Sequence, residues 1–175
     1  MRAADAGTAE KKQLTPLEER VWAALQDVPD PEIPMISVVD LGIITGVDEQ
    51  AGGQVKITMT PTFSGCPAIN VMRSMIAGQV KKALGSDKVI VEVDMSIPWS
   101  SNRISAAGLK ALKKAGLAPP PRYDGDLDVR TIAQAQCPYC DSHDTKMHSP
   151  FGPTLCRALH YCNSCRQAFE QFKPL

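Results

Sequence analysis

From residue 17 the apolar side chains Leu17, Val21, Trp22, Leu25 and Val28 recur three or four positions apart, with polar residues between them. That spacing predicts one buried face of a helix. Thr15 stands ahead of Pro16, with Glu18 three residues on, which is the pattern of a capping box with proline at the first helical position. Pro29 and Pro31 stop the helix. The segment "DPEIPMISVVDLGIITGVDEQ" opens with turn-formers and then turns apolar and β-branched, predicting a strand through Ile44 or Val47. "AGG" turns the chain, and "QVKITMT" alternates, with Val55, Ile57 and Met59 on one face, so a β-hairpin is expected.

Residues 61–66 read as a loop. From Pro67 to Leu84 the spacing of Ile69, Met72, Ile76, Val80 and Ala83 predicts a second helix, ended near Gly85. "KVIVEVDM" is a third strand and "ISAAGLKALKKAG" a third helix, with Lys113 and Lys114 at its C-terminal end and Gly116 beyond. The order helix, two strands, helix, strand, helix is that of an α/β fold. A helix crossing between the second and third strands makes that pair parallel in a mixed sheet. The expected organisation is a polar leader over 1–13, an α/β domain over 14–117, a proline-rich linker over 118–136 and a small satellite domain over 137–175.

Composition narrows the partners. Nineteen basic residues balance nineteen acidic ones, which gives no electrostatic footprint for nucleic acid. The longest apolar runs fall far short of the roughly 20 residues that a bilayer span needs, and "MRAADAGTAEKKQ" carries no apolar region of the signal-peptide kind. A cytoplasmic setting is expected, where cysteines stay reduced and bind metals more readily than they pair.

That matters because five of the six cysteines fall in the last 39 residues. "CPYC" at 137–140 and "CNSC" at 162–165 are two C-x-x-C knuckles separated by 21 residues. Each knuckle points two thiolates at one ion, so Cys137, Cys140, Cys162 and Cys165 are expected to close a tetrahedral zinc site. A segment this short cannot bury enough apolar surface alone, and the metal would supply the missing stability. Cys156 is the spare, read first as a small buried apolar side chain and second as a substitute ligand, a role also open to His143, His148 and His160.

Cys66, in "TPTFSGCPAIN", is the remaining thiol. At the start of the second helix, free N–H groups and the helix dipole would lower its pKa and make it reactive; the plainer reading is a buried cysteine at a turn. No histidine precedes residue 143, which counts against a Cys-His hydrolase. Asp30, Glu32 and Asp40 are the other candidates. Carboxylates with a thiolate would suit a transition metal, while as plain structure Asp30 and Glu32 shape turns and Asp40 sits before Gly42.

"DPEIPMISVVDLGII", "TMTPTFSGCPA" and "VEVDMSIPWSSNRIS" together resemble the small iron-sulfur-assembly domain family that includes SufT and the eukaryotic cytosolic cluster-targeting proteins, over residues 15–117. With the tail "CPYC...FGPTLCRALHYCNSC...FKPL" the resemblance extends over nearly the whole chain to the PaaD family, accessory proteins of bacterial phenylacetyl-CoA epoxidase systems. The resemblance implies a mixed-sheet iron-sulfur-assembly domain followed by a zinc ribbon, and a maturation role rather than substrate turnover. The implied client is the reductase subunit, which carries a 2Fe-2S cluster. Cys66 matches the family's reactive cysteine, with Glu32 and Asp30 in its acidic motif. One thiolate cannot hold a 2Fe-2S cluster, which takes four protein ligands, so transfer implies a homodimer interface, the client's own thiols, or a role limited to docking. A structural subunit without metal handling and a Cys66-dependent thiol enzyme are the competing readings.

Overall fold

A computed structural model describes residues 13–122 and 129–174. The expected leader up to residue 12, and 123–128 of the expected linker, lie outside the described residues.

Helix α1, Pro16–Gln26, begins as its sequence predicts. The Thr15 hydroxyl accepts from the Glu18 N–H at 3.2 Å, and the Glu18 carboxylate accepts from the Thr15 N–H at 2.9 Å. Glu18 is buried and also accepts from the N–H of Glu49 at 3.3 Å, so the cap ties α1 to the next strand. Strands β1, Ile44–Gln50, and β2, Gln54–Met59, form the expected antiparallel hairpin, and β3, Val89–Val93, lies parallel to β2. The crossover between β2 and β3 is helix α2, Ile69–Leu84, which packs on α1. Helix α3, Ala106–Lys114, follows, capped by Ser105.

The first strand is shorter at its start than the apolar run suggests. Residues 30–43 form turns, with one isolated bridge between Pro29 and Ser37. Val38, Leu41 and Ile43 are fully buried because this irregular segment folds into the core. Asp40 organises it: its carboxylate accepts from Gln26 Nε2 at 2.8 Å, Ser37 Oγ at 3.0 Å and Ser105 Oγ at 2.5 Å. Gly42 has φ of 72°, and a Cβ there would lie 2.7 Å from the Arg103 carbonyl oxygen, so no other residue fits.

A second sheet of four strands has the order β4-β7-β6-β5. Its members are β4, Leu117–Ala118, β5, Thr145–Ser149, β6, Arg157–Cys162, and β7, Ala168–Phe172; a short helix α4, Val129–Ala133, precedes β5. Leu117 and Ala118, next to the end of α3, pair in parallel with Glu170 and Gln171 of β7. The exchange runs the other way too. Cys156 and Phe172 belong to the same hydrophobic core as α1, α2 and the first sheet, and Ala118 belongs to the small core of Ala135, Cys137, Cys162 and Phe169. The second sheet is therefore docked on the first unit through shared apolar packing. No helix among the described residues is long and apolar enough to cross a membrane.

Candidate functional site

Two groups of chemically active side chains stand out. The first is the four-cysteine cluster. The sulfur atoms of Cys137, Cys140, Cys162 and Cys165 all lie within 4.8 Å of one another. Cys137 Sγ is 3.7 Å from Cys165 Sγ, and Cys140 Sγ is 3.6 Å from Cys162 Sγ. Sulfurs bound tetrahedrally at about 2.3 Å from a metal would be about 3.8 Å apart, so the cage has the size of a single-ion site.

The sequence builds the two knuckles alike. The residue after each second cysteine, Asp141 and Arg166, has φ of 59°, turning the chain back at the same point. The Cys137 N–H then donates to the Ser142 carbonyl, and the Cys162 N–H to the Gln167 carbonyl, each at 2.9 Å. The Cys165 N–H draws the Cys162 thiol down to about 7, whereas burial, with the neighbouring thiols of Cys140 and Cys162, pushes Cys165 up to about 12. Four sulfurs this close cannot all ionise without a cation among them. Cys156 stands outside this group. His160 also serves packing: it is buried, stacks on Phe169 at 5.4 Å, and its Nε2 lies 3.1 Å from Gln171 Oε1.

The second group lines a cavity of about 260 Å³. Its polar and thiol walls are Asp30, Glu32, Cys66 and Cys156; Leu41, Ile43, Met72 and Phe172 supply apolar wall. Cys66 enters on the loop between β2 and α2. The helix begins later than expected, with Ala68 as its N-cap, so Cys66 precedes the cap by two residues. The predicted lowering of its pKa is overturned. Burial pushes the Cys66 thiol up, and the carboxylates of Glu32 and Asp30 add to the effect, outweighing the Ala68 N–H that favours the thiolate.

The two carboxylates differ. Asp30 is buried and accepts from the N–H groups of Glu32, at 2.9 Å, and Ile33, at 2.8 Å, so it builds the turn that carries Glu32. Its pKa is raised by burial, against the pull of those N–H groups and the Arg157 guanidinium. Glu32 is more exposed. Arg157 Nη2 lies 4.0 Å from its carboxylate and donates to its backbone carbonyl at 3.4 Å, while Nη1 pairs with Glu170 at 2.8 Å. Arg157 thus links the acidic turn to the second sheet.

Cys156 is the member that sequence reasoning leaves unplaced. It lies at the end of the loop 150–156 between β5 and β6, and that loop supplies Gly152, Pro153, Thr154 and Leu155 to the same cavity. The Lys173 N–H donates to the Cys156 carbonyl at 2.9 Å, and Thr154 Oγ1 lies 3.2 Å from its sulfur. Asp40 is absent from the cavity wall; its hydrogen bonds make it a scaffold residue.

Residues 18–93 match a family model described as iron-sulfur cluster assembly protein, and residues 125–173 match the PaaD zinc beta ribbon domain. The chain is 34% identical over 161 residues to an Escherichia coli K12 protein named as one of the subunits of 1,2-phenylacetyl-CoA epoxidase, covering 90% of this chain and 93% of that one. It is also 34% identical over 93 residues to the Fe-S protein maturation auxiliary factor YitW of Bacillus subtilis, covering 51% of this chain and 86% of the relative. Among solved structures, a Bacillus anthracis domain of unknown function, DUF59, superposes with a TM-score of 0.52 at 30% identity, over 55% of this chain and 91% of that domain. With a relative matched over almost the full length of both chains and each half matching its own family model, this chain belongs to the PaaD family, an iron-sulfur cluster assembly domain joined to a zinc ribbon.

Proposed function

We propose that this protein is a maturation factor that serves the iron-sulfur cluster of a phenylacetyl-CoA epoxidase system, with the 2Fe-2S reductase subunit as its client. The observation that carries the reading is the placement of Cys66 on a cavity walled by Asp30 and Glu32, within the segment that matches the iron-sulfur assembly family. The relatives named as Fe-S protein maturation auxiliary factors support the role, and the relative named for the epoxidase supports the system.

In this reading the ribbon cysteines hold one structural zinc, which supplies folding free energy and a closed shell rather than chemistry. Cys66 offers a thiol to iron, and Glu32, on the rim, places negative charge beside it. Asp30 positions Glu32 through its two backbone hydrogen bonds. The protein acts on its client's cofactor and turns over no small molecule of its own.

A second reading, a structural component of the epoxidase complex, is favoured by the name of the full-length relative. One experiment separates the two. The reductase is co-expressed with this protein, either unmodified or as Cys66→Ala, then purified and assayed for iron and acid-labile sulfide. Maturation predicts a reductase depleted in both with Cys66→Ala, while zinc here stays at one per chain. Unchanged cluster occupancy overturns the maturation role and leaves the structural reading.

A further inference from the structure

Protein interiors leave few voids larger than a water molecule, yet a space of about 260 Å³ lies against residues that otherwise belong to the core. Leu41, Ile43, Met72 and Phe172, each no more than 2% exposed, form part of its wall. A wall left without a neighbour forfeits packing contacts that a fitting apolar group would restore. The opening is apolar as well. Phe63, from the loop before α2, and Leu155, from the loop before β6, line the same space and are 38% and 51% exposed. We propose that this cavity is the docking socket for the client: one apolar side chain of the client inserts between the two units, and a basic residue beside it pairs with Glu32. This deepens the maturation reading and rests on the protein having an iron-sulfur client, which the socket seats against Cys66.

Charge selects the occupant. The Glu32 side chain is 30% exposed, and Arg157, the only cation within ion-pair reach of it among the described residues, lies 4.0 Å away and binds Glu170 more closely, at 2.8 Å. Asp30 adds a second carboxyl to the same wall. The wall thus presents acid to whatever enters, which favours a cation beside the apolar group over a carboxylate. A free small molecule would fill the inner space and leave Phe63 and Leu155 in water, whereas a protein segment lying across the opening covers both. A second copy meeting this opening about a two-fold axis would set the acidic wall against its own counterpart, a like-charge contact.

The socket is preformed, so nothing has to close around the client. The Lys173 N–H holds the Cys156 carbonyl at 2.9 Å, and the Gly152 N–H donates to the Arg157 carbonyl at 2.9 Å, which fixes both ends of the loop that carries Leu155. The assembly domain supplies Phe63, Cys66 and Glu32, and the ribbon supplies Leu155, Cys156 and Phe172. The ribbon therefore contributes half of the recognition surface.

The test uses the full-length protein and the purified, cluster-free reductase subunit. Affinity is read by isothermal titration. Occupancy of the socket is read from the rate at which N-ethylmaleimide labels Cys66, a half-buried thiol of the cavity wall, mapped by mass spectrometry. With reductase at about ten times its Kd, labelling should slow about tenfold, the factor 1 + [L]/Kd. Leu155→Asp and Phe63→Asp, at exposed positions that leave the core intact, should each weaken binding by about tenfold. Glu32→Gln keeps the shape, removes the charge and should weaken binding about threefold. An unchanged far-ultraviolet circular dichroism spectrum establishes that each variant folds. Reductase that binds while Cys66 labels at its free rate overturns the proposal, as does binding indifferent to both aspartate variants, or no binding at all. Protection of Cys66 by a dimer of this chain, or by toluene with no effect of reductase, would assign the cavity to a second copy or a small molecule and likewise overturn it. The cluster assay fails separately. A reductase whose cluster ignores Cys66→Ala overturns the maturation reading and leaves the affinity losses standing, whereas a Cys66-dependent cluster with unaltered affinities overturns the socket alone.

Discussion

Trp99 and Phe172 meet with ring centroids 5.8 Å apart and planes inclined at 57°. Trp99 follows β3 of the first sheet and is anchored by its Nε1–H, which donates to the Leu41 carbonyl at 3.0 Å; Phe172 ends β7 of the second. The contact joins the ribbon to the assembly domain, and Phe172 also forms part of the cavity wall. Phe172→Ala removes a ring that is 1% exposed and leaves a void between the two units. The expected loss is about 3 kcal/mol or more of unfolding free energy, measured as a lowered urea midpoint, with Trp99 fluorescence shifted to longer wavelength as water reaches it.

The cysteine cage gives a sharper outcome. Cys137→Ser or Cys165→Ser removes one of four converging sulfurs. If the cage holds zinc as proposed, each variant is expected to bind none and to lose the order of the second sheet, since folding of such a small unit is coupled to metal binding. Elemental analysis of the purified protein checks this, and a variant that keeps one zinc per chain would refute the four-sulfur assignment.

Asp30 predicts a pH effect with a definite sign. Its folded pKa is raised above the ordinary value of 3.8 by burial, so the native state holds its proton more tightly than the unfolded chain. Its contribution is present below the unfolded pKa and is lost as pH rises through the folded one. The groups that act on it are Arg157, which favours the charge, and the N–H groups of Glu32 and Ile33, which do the same. Asp30→Asn keeps an oxygen for both N–H groups and removes the buried charge. The stability of Asp30→Asn relative to wild type should therefore rise from about pH 4 toward neutrality, as read from urea midpoints across that range; a constant difference would argue that Asp30 titrates alike in both states.

Gly116 couples the end of α3 to the first knuckle. It has φ of 79°, and a Cβ there would lie 2.9 Å from Tyr139 Oη. Nearby, Lys113 forms an ion pair with Asp141. Gly116→Ala should cost about 1 to 2 kcal/mol from the left-handed backbone, plus a steric part that Tyr139→Ala relieves. A double-mutant cycle reads the steric part as the coupling between the two positions; no coupling would mean that Tyr139 moves aside freely.

Much of this architecture is legible in the chain. Thr15 and Glu18 signal their cap because capping is local, and the alternation of Val55, Ile57 and Met59 marks a half-buried strand. The knuckles are legible because both ligands of each pair sit within one turn. What escapes sequence reasoning depends on distant packing. Val38, Leu41 and Ile43 look like strand because burial, whatever its cause, selects apolar residues; only the Asp40 hydrogen bonds distinguish a folded turn. Leu117 and Ala118 are too short a strand to show periodicity. The expected reactivity of Cys66 assumes that a helix terminus governs it, whereas the surrounding protein, including a loop near residue 156, sets its pKa. Nothing in the spacing of Cys66 and Cys156 puts them on one cavity wall; only the docking of the two sheets does.

The two-residue strand β4 has one further consequence. It covers the outer edge of β7, leaving fewer backbone groups of that strand unpaired. A ribbon cut free at residue 137 would expose that edge as a template for another chain, and at high concentration it should self-associate edge to edge even with its metal in place. The short segment after α3 works as a guard against aggregation as well as a connection between the two units.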